Sequence, residues 1–202
     1  ITMKNRNKLV ATIIAVFAMC SVSFGQVQNT SAYIKPQSDK RFSLYLNKID
    51  FPQVKISIKD DEGKNLYNKT VKGQSSFAKQ FDMSQLPIGA YVLSLEDEQS
   101  VQNIPLSVMD NDVEIAMDEK NRIYKPYFNQ KAEVLDVMVF SPDKSYNKIK
   151  IYDEANQVVY YETIAGQMTI EKRYNLAQLA PGQYNITIES NNYSYSYLMP
   201  ID

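Results

Sequence analysis

The chain has 202 residues, with 22 basic and 23 acidic side chains, one cysteine, no histidine and no tryptophan. It therefore has no imidazole base, and its single cysteine lies close to the N-terminus. The part of the chain after that cysteine has neither a thiolate nucleophile nor the cysteine and histidine ligands that usually bind zinc in enzymes. The nearly balanced charge, without a dense basic patch, argues against a nucleic-acid partner.

Residues 1–25 have the pattern of a secretory signal peptide. Met3 is followed by three cationic side chains, an apolar run over residues 9–19 and the small residues Ser23 and Gly25, which predicts cleavage before Gln26. Cleavage leaves 19 basic residues against 23 acidic ones. No apolar run reaches the roughly 18 residues of a transmembrane helix, so we expect no membrane span.

Cys20 offers a second interpretation of this segment, because a cysteine at the end of such a run can carry the lipid of a bacterial lipoprotein. The residues before it are Phe17, Ala18 and Met19, and methionine is a poor residue at the lipoprotein cleavage point. We therefore expect plain cleavage rather than a lipid anchor at Cys20.

The rest of the chain is dominated by a duplication. Residues 55–96 align with residues 148–189 at a constant offset of 93, and 14 of the 42 aligned positions are identical. Weaker similarity upstream relates residues 33–36 to residues 123–126 at an offset of 90. A repeat of this length indicates two copies of one structural unit, and we place the two domains at residues 27–118 and 119–202.

A β-hairpin is predicted early in each copy. Ile56 and Ile58 alternate with polar residues before an acidic loop, and the second copy repeats the pattern, which is typical of half-buried strands. Gly63 in the first loop is replaced by Asn156 in the second. These residue types best tolerate positive φ, so we predict the same left-handed turn in both loops. The acidic loop side chains are interpreted as solvated rather than as cation ligands.

Each copy then reaches a shared Leu-x-x-Gly-x-Tyr frame. The Leu is expected to close the end of the core, the Gly to allow a tight reversal, and the Tyr to open the next strand with its hydroxyl bonded to nearby backbone. This resembles the tyrosine corner of immunoglobulin-like sandwiches. The residues with these structural roles are Leu86, Gly89 and Tyr91 in the first copy and Leu179, Gly182 and Tyr184 in the second.

The other apolar residues also alternate in short runs. Together with frequent turn signals and no period of 3.6, they predict an all-β chain of two tandem immunoglobulin- or fibronectin-like antiparallel β-sandwiches, each of about seven strands. Residues 113–117 alternate as well, and the sequence leaves open whether they close the first sandwich or lead into the second.

The second copy resembles a known family. Its residues 149–153 and 174–188 are similar to the C-terminal sorting domains of bacterial type IX secretion cargo. They are also similar to small secreted immunoglobulin-like proteins of unknown function from the same bacteria, and the first copy shares the likeness more loosely. The resemblance implies β-sandwiches in or outside a Gram-negative envelope and brings no known activity. We expect the standalone proteins to be the closer match, because no cargo domain is evident.

The last strand supplies the candidate binding residues. Tyr193, Tyr195 and Tyr197 alternate with serines, and tyrosine-rich faces stack on sugars or anchor protein interfaces. Register with the first copy puts Tyr197 at the position of Ile104, which favours packing of the same side against the core. Tyr193, Tyr195 and Tyr161 are kept as candidate binding residues beside that alternative.

An acidic segment at residues 110–114 lies between the copies. Such oxygen ligands can bind calcium, but their spacing is irregular and a hydrated linker is the preferred interpretation. We predict no metal site, no cofactor and no catalytic residues.

The expected function is that of an exported, non-catalytic binding or adhesion-type protein with an unknown protein or glycan partner. Its expected location is the periplasm, the cell surface or the medium of a Gram-negative bacterium. The alternative is a secretion-linked role in which the second domain acts as a type IX sorting-like domain.

Overall fold

The structure is a computed structural model that describes residues 31–47, 49, 51–72, 76–119, 121–190 and 193–202. The predicted signal peptide and Cys20 lie outside the described residues. The chain divides into two compact units, one ending at Tyr124 and the other continuing from Lys125. Both are built from antiparallel strands, which confirms the predicted all-β class.

The first domain contains two sheets. A three-stranded sheet has the order β1-β2-β5, and a larger sheet has the order β4-β3-β6-β7-β8, with β9 also paired to β7. A short 3-10 helix, Met117–Glu119, precedes β9. The strands are β1 (Ser31–Gln37), β2 (Arg41–Asn47), β3 (Gln53–Asp60), β4 (Asn65–Lys72), β5 (Ser76–Asp82), β6 (Gly89–Glu96), β7 (Ser100–Val108), β8 (Val113–Ile115) and β9 (Asn121–Tyr124).

The second domain repeats this arrangement with fewer strands. Its three-stranded sheet has the order β10-β11-β14, and its four-stranded sheet has the order β13-β12-β15-β16. The strands are β10 (Tyr127–Lys131), β11 (Val134–Phe140), β12 (Asn147–Tyr152), β13 (Val158–Ile164), β14 (Thr169–Asn175), β15 (Gly182–Ser190) and β16 (Tyr193–Ile201).

In each domain the alternating apolar residues of both sheets point into one core. Phe42 and Leu44 of β2 meet Ile56 of β3 and Leu93 of β6 in the first domain, and all four are buried. The second core contains Leu135 and Val137 from β11 together with Ile149 and Ile186, among other residues. Burial of alternate side chains from two facing sheets is the defining feature of a β-sandwich.

Strand pairing follows the offset of 93 along most of the repeat. Ile56 pairs with Leu95 in the first domain, and Ile149 pairs with Ile188 in the second. The irregularity in the hairpin also recurs, after Ile58 and after Ile151. The duplication read from the sequence therefore extends to hydrogen-bond register.

Upstream of the hairpins, the predicted offset of 90 is wrong. Tyr33 pairs with Tyr45, and its structural counterpart is Tyr127, which pairs with Met138. Residues 123–126 are not the counterpart of β1, because β9 pairs with β7 of the first domain. By pairing, β9 thus belongs to the first domain's sheet, although the boundary that we placed after residue 118 assigned it to the second. Residues 113–115 close the first sandwich, since β8 pairs with β7.

Candidate functional site

Tyr193 and Tyr195 lie on the side of β16 that faces the second core. Both tyrosines are half-buried, whereas Ser194, which lies between them, and Ser196, which follows them, are exposed. The Tyr193 hydroxyl donates to Asn147 Oδ1 at 2.9 Å, and the Tyr193 and Tyr195 rings are 5.2 Å apart between centroids. Burial raises the pKa of Tyr193. These two rings pack against the domain along much of their surface.

Tyr161 lies elsewhere in the same sheet. It is on β13, the edge strand opposite β16, and it is 56% exposed. Its hydroxyl and the Thr163 Oγ1 are 2.6 Å apart, and its neighbour Tyr160 points inward to the core. The structure therefore brings Tyr193 and Tyr195 together and does not bring Tyr161 to them.

The Leu-x-x-Gly-x-Tyr frame forms the same corner in both domains. The Tyr91 hydroxyl donates to the carbonyl oxygen of Pro87 at 2.8 Å, and the Tyr184 hydroxyl donates to that of Ala180 at 3.0 Å. Both bonds reach back four residues, as in a tyrosine corner. Leu86 and Leu179, further upstream, are partly buried against their respective cores.

The two glycines of the frame have matching backbone conformations. Gly89 has φ 158° and Gly182 has φ 153°. A Cβ on Gly182 would lie 3.1 Å from Glu154 Oε1, and that same oxygen accepts a hydrogen bond of 2.7 Å from the Gln183 backbone N–H. A side chain at residue 182 would therefore disturb the link between the hairpin loop and the corner.

The hairpin loops also match. Gly63 has φ 81° and Asn156 has φ 55°, so both adopt the left-handed conformation. A feature missed in the sequence is the aspartate that opens each loop. Asp60 Oδ1 accepts the Lys64 N–H at 2.8 Å, and Asp153 Oδ1 accepts the equivalent Gln157 N–H at 2.8 Å. The identity of these aspartates in both copies was the available signal, since aspartate commonly bonds turn backbone.

The lysines that interrupt the fifth strand of each copy have different partners. Lys79 lies over the Tyr67 ring, with Nζ 5.3 Å from its centroid. Lys172 instead forms a 2.6 Å ion pair with Glu162, whose other carboxylate oxygen accepts a hydrogen bond from Tyr160. Burial, followed by this bond, raises the pKa of Tyr160 to about 12. Each lysine is thus accommodated by a contact beside the core.

Glu162 and Lys172 line an open cleft of about 510 Å³ in the second domain. The carboxylate of Glu162 is held on one oxygen by the Lys172 ammonium and on the other by the Tyr160 hydroxyl. Among the residues that the structure describes, no group of three or more carboxylate, cysteine or histidine side chains is placed to hold a metal ion. Within the same part of the chain, no helix has the length and apolarity needed to cross a membrane.

An aromatic face that the sequence analysis missed lies on the three-stranded sheet of the first domain. Tyr33 is 56% exposed and pairs across the strands with Tyr45, whose ring centroid is 6.0 Å away. Beside this pair, Gln37 Nε2 donates to Ser43 Oγ at 3.0 Å, and Gln80 Nε2 donates to Gln37 Oε1. Tyrosine rings thus adjoin a row of uncharged amide and hydroxyl groups, and Lys35, opposite Ser43, lies on the same face.

The equivalent face of the second domain has different chemistry. Tyr127 occupies the place of Tyr33, but Met138 replaces Tyr45. In place of Ser43 and Gln80, Asp136 and Arg173 form a two-point ion pair with distances of 2.6 and 3.0 Å. The hydrogen bond from Arg173, together with the positive charge of Arg173, lowers the pKa of Asp136. The two faces share a backbone frame but not a surface, and period-2 patterning alone cannot reveal that difference.

Each domain matches a different protein family. Residues 35–107 match the family described as a secretion system C-terminal sorting domain, and residues 127–199 match a domain of unknown function, DUF3244. The predicted resemblance to these two groups is confirmed, with one correction. We expected the sorting-domain likeness mainly on the second copy, but it lies on the first.

Solved structures with similarity to the chain include a biofilm associated protein BSP domain, at 18% identity over 83% of this chain and 29% of that one, with a TM-score of 0.27. The chain therefore spans less than a third of that protein's length. A two-domain fibronectin type III segment of chicken tenascin matches at 12% identity over 85% and 98% of the two chains, with a TM-score of 0.31. The human OSCAR ligand-binding domain matches at 9% identity over 84% and 97%, with a TM-score of 0.25.

No curated protein matches the chain significantly. The chain is thus a tandem of two immunoglobulin-like β-sandwiches, the first similar to secretion system sorting domains and the second to DUF3244.

Proposed function

We propose that this chain is an exported, non-catalytic binding protein whose first domain recognises a saccharide. Export is supported by the sorting-domain match over residues 35–107, together with the signal peptide read from the sequence. The observation that carries the binding role is the face formed by Tyr33, Tyr45 and the amide row beside them.

The chemistry of this face suits a sugar ring. A tyrosine ring offers an apolar surface for the C–H face of a sugar, with a hydroxyl that still forms hydrogen bonds. Amide and hydroxyl groups within reach can exchange hydrogen bonds with sugar hydroxyls, and a few fixed polar groups give orientation. Gln37 and Ser43 are held in place by their mutual hydrogen bond, so little order has to be gained on binding.

The test is a glycan array with the purified chain, followed by titration of the strongest saccharide. Tyr33→Ala should weaken binding by about tenfold, the scale of one aromatic contact of about 1.4 kcal/mol. Tyr127→Ala is the matched control in the second domain, where the ion-paired face lacks the amide row, and it should leave affinity unchanged. Absence of any saccharide binding, or equal losses in the two variants, would contradict the proposal.

A second candidate function is favoured by the family match itself. The chain would then have a secretion-linked role, with one domain docking to a type IX translocon as a sorting-like domain. Our sequence-based version assigned this role to the second domain, whereas the match lies on the first. Mass spectrometry of the exported protein tests both versions, because a mature chain that retains residues 35–107 and still ends at Asp202 contradicts removal of either domain as a sorting signal.

A further inference from the structure

The two domains differ at one edge of their larger sheets. In the first domain β7 pairs on one side with β6 and on the other with β8 and β9. Its counterpart in the second domain is β16, which pairs with β15. Tyr197 of β16 lies opposite Ile186 of β15, just as Ile104 of β7 lies opposite Leu93 of β6. Within the described residues, β16 has no strand on its other side and is the edge of its sheet.

The direction of the backbone groups on this edge follows from the first domain. The Pro105 carbonyl accepts the Ala116 N–H at 3.1 Å, so it points away from β6. In an antiparallel sheet, the N–H and C=O groups of one residue point to the strand on one side, and those of the next residue point to the strand on the other side. The counterparts of Pro105 and its alternate neighbours on β16 therefore point outward, and they are Ser194, Ser196, Leu198 and Pro200.

One end of this edge is closed to further pairing. The Pro200 carbonyl accepts a hydrogen bond of 2.7 Å from Gln130 Nε2, and proline has no N–H to donate. The outward N–H and C=O groups that can pair with a strand thus lie over residues 194–198. Leu198 in this stretch is 64% exposed, an unusual exposure for leucine.

The charge pattern of β16 distinguishes it from the other edges. Natural sheets protect edge strands with charged side chains, which discourage pairing with another chain. In the described part of the chain, the other edge strands carry charges, for example Lys35 on β1, Lys69 on β4 and Glu162 on β13. Tyr193–Ile201 contains none.

We propose that β16 pairs antiparallel with β16 of a second copy of this chain, around a two-fold axis at Ser196. In this register Ser194 lies opposite Leu198 of the other copy, so outward-pointing backbone groups meet each other. Tyr195 lies opposite Tyr197 on the inner side, and such cross-strand aromatic pairs stabilise a sheet. An uncharged strand of alternating serine and tyrosine is self-complementary, as a two-fold interface requires. The pairing joins two four-stranded sheets into one.

Sedimentation equilibrium of the full chain, over a range of protein concentrations, tests the association. The chain should form dimers, and Ser196→Pro should shift it to monomers. The Ser196 N–H points away from β15, so proline removes an edge donor and leaves the pairing with β15 in place. Ser196→Ala is the matched control, because it keeps the N–H and should keep the dimer. If the proline variant fails to fold, Ser194→Lys places a charge on the same edge and should also yield monomers.

A cross-linking experiment tests the register. In a chain carrying Cys20→Ser, a Ser196→Cys substitution should give a disulfide-linked dimer under mild oxidation. The two copies of residue 196 face each other at about 5.5 Å between Cα atoms. Ser194→Cys should not, because residue 194 faces Leu198. A monomer at every concentration, a dimer unaffected by both edge variants, or cross-linking at residue 194 alone would overturn the proposal, as would capture of a different protein by β16 while the chain stays monomeric.

Discussion

The two domains place different structures around a shared frame. On the first domain, β8 and β9 cover the outer edge of β7, whereas β16 of the second forms the edge of its sheet. The smaller sheet differs too, since the uncharged cross-strand pair Ser43 and Gln80 corresponds to the Asp136–Arg173 ion pair. Duplication has therefore kept the means of folding and changed the surfaces.

Both copies keep the same small set of local hydrogen bonds. Asp60 and Asp153 bond the backbone of their loops in the same way, and Tyr91 and Tyr184 make the same corner. These contacts are made within a few residues along the chain, so neither depends on what the surface binds. Residues identical in both copies therefore mark the fold, and functional residues should be sought where the copies differ.

The largest effect should come from the left-handed turn, where Gly63 and Asn156 differ in type but share a conformation. Asn156→Val should lower the free energy of unfolding by about 1–2 kcal/mol, because a β-branched residue is strained at positive φ. Urea unfolding followed through second-domain amide signals in NMR spectra measures the loss. Asn156→Gly is the control and should be neutral within about 0.5 kcal/mol. A valine variant as stable as the parent would contradict the shared turn.

The tyrosine corners should respond equally in the two domains. Tyr91→Phe and Tyr184→Phe each delete one hydroxyl that donates to a backbone carbonyl, and each should cost about 1 kcal/mol of unfolding free energy. The same NMR-detected titration, read separately for each domain, gives both values. Tyr161→Phe, at an exposed site, should change little. Losses that differ severalfold between the corners would show that the copies no longer use this frame in the same way.

The smallest effect concerns acid stability of the face that carries Asp136. Its pKa is lowered by the hydrogen bond from Arg173, by the charge of Arg173 and by nearby Lys131. A carboxyl with a lowered pKa in the folded state stabilises the fold above its unfolded pKa of about 4, and this contribution is lost as the pH falls through the folded value. At pH values below about 4, the urea concentration at the unfolding midpoint of the second domain should therefore decrease as the pH falls. The decrease should be less steep in Asp136→Asn. An identical pH profile in that variant would rule out the ion pair as a source of acid sensitivity.

Much of the fold follows from the sequence because its signals are local. Ile56 and Ile149 occupy the same register, and a gapless repeat carries that register from one copy to the other. Placement of β9 was predicted wrongly for a physical reason. Its residues resemble those of β1, and a four-residue alternating segment contains nothing that selects β7 over another available edge.

The candidate site was harder to predict than the fold. Tyr33 and Tyr45 are twelve residues apart in the sequence and meet only through strand pairing, while the repeat begins after both of them. The tyrosines of β16 were conspicuous in sequence, yet their half-buried side faces the core. Period-2 alternation alone does not tell which side of a strand meets solvent, and it was the register with the first copy, with Tyr197 at the position of Ile104, that indicated the core side.

Pro200 has a consequence for the growth of any assembly. With its carbonyl engaged by Gln130 and no amide hydrogen, it acts as a stop at one end of β16, so recruitment can extend along only part of the strand. A surface limited in this way favours assemblies of definite size over fibrils.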